Sequence, residues 1–171
     1  MLRTLILLRH AKSDWGSGAK GDHERPLNAR GERAAAVMGV YLRQEGLAPD
    51  LVLTSTAVRA RTTAELVLRH GGLDAPVRAE NDLYLADPER ILATLRAAGE
   101  DPARILLVAH NPGLEELVQL VAARASGDLA AAAGAGLPTA GLAVCTCDTT
   151  WTEVHPGALT LTRIAAPKSL V

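Results

Sequence analysis

The chain has 171 residues, a length that suits a single domain spanning 1–171 with one proper core. Hydrophobic residues make up 48% but aromatics only 2%, with no Phe, so the core must be built from Leu, Val, Ile and Ala, which suits helices layered on a sheet. With Lys+Arg 18 against Asp+Glu 19 the net charge is −1, which excludes a general attraction to nucleic acid or to an anionic membrane and leaves any anion site to be local.

No apolar stretch approaches the roughly 20 residues that cross a bilayer. Met1-Leu2-Arg3 leads straight into a strand rather than a signal peptide, so a cytoplasmic location is expected. Thr4-Leu5-Ile6-Leu7-Leu8-Arg9-His10 is an apolar run too short for a helix that ends abruptly in Arg and His. Without alternation it reads as a strand covered on both faces, as in a parallel sheet with helices above and below. In such sheets ligands bind just beyond the carboxyl ends of the strands. Residues 11–27 follow, polar and glycine-bearing, with Ser13, Trp15, Gly16, Gly18, Gly21 and Pro26 and no helical or strand period. A loop of this length inside a compact domain is usually functional.

Asn28 then caps a helix through about Glu45, with Ala34, Ala35, Val37, Met38, Tyr41 and Leu42 facing the sheet and Gly46 ending it. Gly31, near its start, is locally unfavourable there. A second strand over residues 51–54 feeds a helix over about 56–68, which carries Arg59 in its first turn and is terminated by Gly71-Gly72. Val77 marks a short strand, and Asp87 with Pro88 opens a third helix that runs to about Ala98. Residues 104–109 repeat the apolar strand and end at His110. Asn111 as N-cap and Pro112 in the first turn then begin a fourth helix with Leu114, Leu117, Val118 and Val121 as its buried stripe. Residues 126–136 are small, Ala/Gly-rich and without amphipathic contrast, which suits a flexible connection. Residues 139–147 and 158–164 read as closing strands around a turn near Asp148-Thr149. Strands alternating with helices give an α/β three-layer sandwich around a mostly parallel sheet.

Cys145 and Cys147 are the two cysteines, and in an extended strand they point to the same face. That spacing disfavours a mutual disulfide. A Cys-X-Cys metal half-site lacks a second pair, so they read as small apolar strand residues.

Taken singly, Arg9, His10, Arg59 and His110 each have an ordinary structural reading as a solvated strand end or a helix-turn residue. Taken together they all fall at carboxyl ends of strands or in the helix turn that follows, which four unrelated accidents would not produce. Backbone N–H groups at the helices starting near Thr56 and Pro112 add partial positive charge. Such a site is built for a dianion such as a phosphoryl group.

The order Arg9-His10, then Ser55-Thr56-Ala57-Val58-Arg59-Ala60-Arg61-Thr62-Thr63-Ala64, then His110-Asn111 resembles the histidine phosphatase (phosphoglycerate mutase-like) superfamily. Within it the short chain is most similar to the SixA-type phosphohistidine phosphatases. Leu8-Arg9-His10-Ala11-Lys12-Ser13, Arg25-Pro26-Leu27-Asn28-Ala29-Arg30-Gly31, Asp82-Leu83-Tyr84 and Val108-Ala109-His110-Asn111-Pro112-Gly113-Leu114-Glu115 also carry the likeness, which spans almost the whole chain. The resemblance implies that His10 is the nucleophile and becomes phosphorylated, while Arg9, Arg59 and His110 clamp the phosphoryl oxygens. A neutral imidazole nitrogen is nucleophilic, and nearby guanidinium groups lower its proton affinity while cancelling phosphate charge. Ser13 is a candidate hydroxyl donor. Arg25 is either an entrance charge or a surface arginine that holds the loop.

The family pattern usually has Gly directly after the nucleophile, whereas this chain has Ala11, which is tolerable where the backbone avoids positive φ. Relatives that cleave phosphate esters place a carboxylic acid before the third helix, and Glu80 and Asp82 lie in that region as candidate proton donors, with Asp82 the better placed. The expectation is a phosphohistidine phosphatase working without metal or cofactor on a phosphorylated protein or small phosphorylated substrate. A small-molecule phosphomonoesterase and a non-catalytic phosphate-recognition module are the alternatives.

Overall fold

The computed structural model describes residues 1–99 and 101–170. Six strands, β1 (Arg3–Arg9), β2 (Leu51–Ser55), β3 (Val77–Glu80), β4 (Arg104–Ala109), β5 (Leu142–Cys147) and β6 (Leu159–Ala165), alternate with helices α1 (Ala29–Gln44), α2 (Val58–Gly71), α3 (Pro88–Arg96), α4 (Gly113–Ala122) and α5 (Gly127–Gly134). The strands form one sheet in the order β3-β2-β4-β1-β5-β6. β1, β4, β2 and β3 run parallel, and β5 alone is reversed, pairing antiparallel with both β1 and β6.

Successive strand residues face opposite sides of a sheet, and the apolar run of β1 uses both. Leu5 and Leu7 join Leu53, Ile105 and Leu107 in a core closed by Ile91, Leu95, Leu114 and Leu117 of α3 and α4. Ile6 and Leu8 join Val52, Leu106 and Val108 in a second core closed by Met38, Leu42, Ala60, Ala64 and Val67 of α1 and α2. Burying each such aliphatic side chain contributes roughly 1.5–3 kcal/mol. Helices above and below the sheet make the three-layer sandwich read from the sequence.

Two helix starts are as expected. Asn28 accepts from the Gly31 N–H at 2.8 Å, and Asp87 accepts from the Arg90 N–H at 2.8 Å with Pro88 in the first turn. The glycine at 31 has a reason outside its helix, because a Cβ there would run into the Lys12 carbonyl oxygen. That close approach lays the start of α1 against the loop after β1. On α1, Ala35, Met38 and Leu42 are buried, while Ala34, Val37 and Tyr41 form a half-buried margin.

Other expectations are corrected. Residues 126–136 are not a flexible connection. Gly127–Gly134 is the helix α5, which buries Ala133 and rests Leu129 on the core. Alanine is the strongest helix former, and an alanine face packs without a marked amphipathic stripe. Asn111 is not an N-cap, since α4 begins at Gly113 after Pro112. Its Nδ2 donates instead to Glu115 Oε2 and to the Leu137 carbonyl, both at 2.9 Å, tying α4 to the segment after α5. α2 starts at Val58 rather than Thr56 and ends on the left-handed Gly72. The last two strands are joined by a longer connection than a tight turn, in which Trp151 is buried and donates Nε1–H to the Pro102 carbonyl at 2.7 Å. Cys145 and Cys147 are unpaired and fully buried. No helix among the described residues is long and apolar enough to cross a membrane.

Candidate active site

The strand order explains why distant sequence positions meet. β1 lies beside β4, which lies beside β2, all parallel, so Arg9 and His10, His110, and the Ser55-to-Arg59 turn emerge at one edge of the sheet. Arg9, His10, Arg59 and His110 line a cavity of about 430 Å³ together with Ser13, Asp22 and Arg25 from the loop after β1. The start of the loop after β1 is tied down on two sides. The Ala11 N–H donates to Thr63 Oγ1 at 2.9 Å, and that hydroxyl donates to the Arg59 carbonyl at 2.7 Å. The Ala140 N–H donates to the carbonyls of Arg9 and His10 at 3.1 and 3.0 Å.

His10 is 7% exposed, and its Nδ1 lies 2.7 Å from the Ala11 carbonyl. A carbonyl only accepts, so Nδ1 carries the hydrogen and Nε2 keeps its lone pair. Burial pushes the His10 pKa down to about 4, with Arg59, Arg9 and Arg25 adding to the effect against the Ala11 bond. His10 is therefore neutral at physiological pH, the state in which an imidazole attacks phosphorus. His110 packs at 5.2 Å between ring centroids and is pushed down to about 3, by burial first and then by His10 and Arg59.

His110 Nε2 sits 2.7 Å from Ser55 Oγ, which also accepts from the Ala57 N–H at 3.2 Å. When the hydroxyl hydrogen goes to Nε2, the buried Ser55 hydroxyl both donates and accepts, and that pairing puts the ring hydrogen on Nδ1. That nitrogen is buried and has no partner among the described residues. It is a donor in reserve for an oxygen in the cavity.

Arginines supply the rest. Arg59, 2% exposed, donates Nη1–H to the Asp22 carbonyl at 2.6 Å and Nη2–H to Asp22 Oδ2 at 2.9 Å. Arg25 donates Nη2–H to Asp22 Oδ1 at 2.8 Å and Nη1–H to Ser13 Oγ, and its guanidinium stacks on Trp15 at 3.6 Å. Arg9 donates to the Leu137 carbonyl at 3.1 Å. The Nε atoms of all three are buried without partners among the described residues. Tyr84 donates its hydroxyl to Asp22 Oδ2 at 2.6 Å and sets its ring edge-on to His110 at 5.6 Å. The Tyr84 hydroxyl, then Arg25 and Arg59, hold the Asp22 carboxyl well below the usual carboxylate range.

Of the residues selected from the sequence, Arg9, His10, Ser13, Arg25, Arg59 and His110 thus share one cavity. Arg25 is part of its buried wall, with 8% exposure, rather than a loosely held surface charge. Glu80 and Asp82 are elsewhere, lining a separate groove with Asp87, Glu89 and Arg90. Asp22 and Tyr84 went unselected. The signal for Asp22 was its position three residues before Arg25 in the long polar loop. Leu85 was also missed, a cavity residue held at φ 52, in the left-handed region that costs roughly 1–2 kcal/mol.

The family model of the histidine phosphatase superfamily (branch 1) matches residues 5–84. The uncharacterized protein Rv1276c of Mycobacterium tuberculosis (strain ATCC 25618 / H37Rv) is 37% identical over 163 residues, 94% of this chain and 100% of that one. The chain belongs to the histidine phosphatase superfamily. Among solved structures, a SixA protein from Nakamurella multipartitia superposes with a TM-score of 0.81 at 31% identity, over 98% of this chain and 97% of that one. The protein histidine phosphatase SixA in complex with tungstate has the same fold, with a TM-score of 0.78 at 23% identity, over 98% and 99% of the two chains. For a histidine phosphatase, Ala11 in place of glycine is accommodated. The positive-φ residues other than glycine among those described are Leu85 and Ala140, so the backbone after His10 is one that any residue adopts.

Proposed function

We propose that the protein is a phosphohistidine phosphatase that works through a covalent phosphohistidine on His10. Neutral His10 Nε2 attacks phosphorus as the bond from phosphorus to the leaving imidazole nitrogen breaks, and water then cleaves the new P–N bond to release phosphate and restore His10. Phosphoryl transfer needs little from the protein beyond alignment and charge compensation. Arg9, Arg25 and Arg59 offer planar N–H forks to the three equatorial oxygens, Ser13 adds a hydroxyl beside Arg25, and His110 Nδ1–H adds a neutral donor. The reaction needs no metal, since a cavity walled by guanidinium groups repels a divalent cation. Activity should accordingly survive exhaustive chelation, and restoration of lost activity by a divalent ion would contradict this.

The observation that carries the substrate reading is the state of the carboxylates. Asp22 at the cavity is held ionised, and Glu80 and Asp82 line a different groove. Expelling an alkoxide from a phosphate ester rewards a positioned acid by about 10²–10⁴-fold. An imidazole leaving group, with a reference pKa near 6.5, carries its own proton. The reading therefore favours phosphohistidine or another phosphoramidate over an ester. Measuring kcat/KM for a phosphohistidine peptide, a phosphoserine peptide, 3-phosphoglycerate and a sugar phosphate tests it directly. The phosphoramidate should lead by at least an order of magnitude, and an ester that is turned over faster would replace this reading with a phosphomonoesterase.

A further inference from the structure

Beside the catalytic cavity lies a second groove of about 670 Å³, along the start of α1. Lys12, Arg30, Arg33 and Lys168 line it, and no carboxylate does. The four come from three separate parts of the fold: the loop after β1, the first turns of α1, and the turn Pro167–Ser169. All are exposed. Among the described residues none of these four side chains hydrogen-bonds or joins an ion pair, whereas Arg3, Arg25, Arg59, Arg69, Arg96 and Arg163 each have a carboxylate partner. In a chain with net charge −1 this is a concentrated, uncompensated positive surface.

Lys12 and Thr139 line both the groove and the catalytic cavity, so the two are continuous. The groove is larger than the cavity and exceeds what a second phosphate would need. Between its cations it offers Val37, Pro138 and Pro167, an apolar floor that suits peptide side chains better than a hydrated ion. We propose that this groove docks an acidic segment of a phosphorylated protein while the phosphoryl group enters the cavity. The proposal rests on the phosphatase reading and adds to it a second point of recognition, which acts through KM and association rate rather than through the chemical step.

The test compares the wild type with the triple variant Arg30→Gln, Arg33→Gln, Lys168→Gln, leaving Lys12 in place because it also lines the cavity. Substrates are inorganic phosphoramidate and two phosphohistidine peptides of equal length, one with three glutamates on each side of the phosphohistidine and one with three serines. Exposed charge pairs contribute about 1.5- to 5-fold each, so three together should give the glutamate peptide an advantage of about tenfold in kcat/KM at low salt. That advantage should lie in KM, shrink with added salt and fall to about one in the triple variant. Phosphoramidate turnover should be the same in both proteins, which shows the cavity and fold to be intact. Equal kcat/KM for the two peptides in the wild type, with phosphoramidate still hydrolysed, would overturn the docking groove and leave the phosphatase reading standing. Failure to hydrolyse any of the three would overturn the phosphatase reading itself. Competition by tripolyphosphate where a hexaglutamate peptide has no effect would refute an acidic peptide as the occupant.

Discussion

Asp22 occupies, with its carboxylate, guanidinium N–H groups that a phosphoryl group would use, and replacing it by Asn separates two opposing effects. Its two oxygens take hydrogen bonds from Arg59 at 2.9 Å, Arg25 at 2.8 Å and Tyr84 at 2.6 Å. A full charge about 4 Å from a bound dianion would oppose each of the dianion's two charges by about 4 kcal/mol at an effective dielectric constant of 20. The Asp22 side chain is 41% exposed, and water and salt on that side cut the effect to about 1–2 kcal/mol, between the values for exposed and buried pairs. Asp22→Asn should therefore bind phosphate, vanadate or tungstate about tenfold more tightly. Without the anion, the buried Arg59 loses its charged partner, and the same 1–2 kcal/mol should lower Tm by about 2–8 °C. Bound anion should restore more stability to the variant than to the wild type. Titration calorimetry and thermal unfolding with and without phosphate read both effects. A tenfold loss of phosphate affinity in Asp22→Asn would refute the competition and make the carboxylate a group that positions the arginines for the anion. The pH dependence follows in sign: because the folded pKa of Asp22 is depressed, its contribution is present above the ordinary carboxylate pKa of about 3.9 and is lost as the pH falls below it.

His10→Ala should lower turnover by several orders of magnitude with the fold intact, and rapid quenching with labelled substrate under non-acidic conditions should trap label on the wild type alone; undiminished activity in the variant would exclude His10 as the nucleophile. The imidazoles of His10 and His110, followed by NMR, should stay neutral down to about 4 and about 3, and midpoints near 6.5 would contradict their burial. Since both folded pKa values lie below the unfolded one, their contribution to stability is complete above about pH 6.5 and declines as the pH falls toward the folded values, by about 2 kcal/mol for each imidazole at pH 5. Glu80→Gln and Asp82→Asn should each change phosphoramidate hydrolysis less than threefold, because neither lines the cavity; a hundredfold loss in either would identify it as the missing acid.

The cationic residues that share the cavity were legible because their positions are set by short stretches of chain. A run such as Leu5-Ile6-Leu7-Leu8 is buried on both faces by its composition alone, and it ends where Arg9 and His10 begin. Asn28 and Asp87 announce their helices through a hydrogen bond spanning three residues. Folding decided what depends on contacts across long separations. The pairing of β1 with β4, and of β4 with β2, puts His110 and Arg59 beside His10. Asp22 meets Arg59 across 37 positions and Tyr84 across 62, and no local pattern encodes either meeting. Glu80 and Asp82 had the right place along the chain, but the turn Asn81–Leu83 buries Leu83 and leaves both carboxylates facing another groove. The helix at Gly127–Gly134 was hidden for a related reason, since an alanine-rich stretch shows no stripe of its own and takes its inward face from the core it meets. Sequence by itself determined which side chains stand at the strand ends; the tertiary structure determined which carboxylate reaches them, because that is settled by distance in space and not by spacing in the chain.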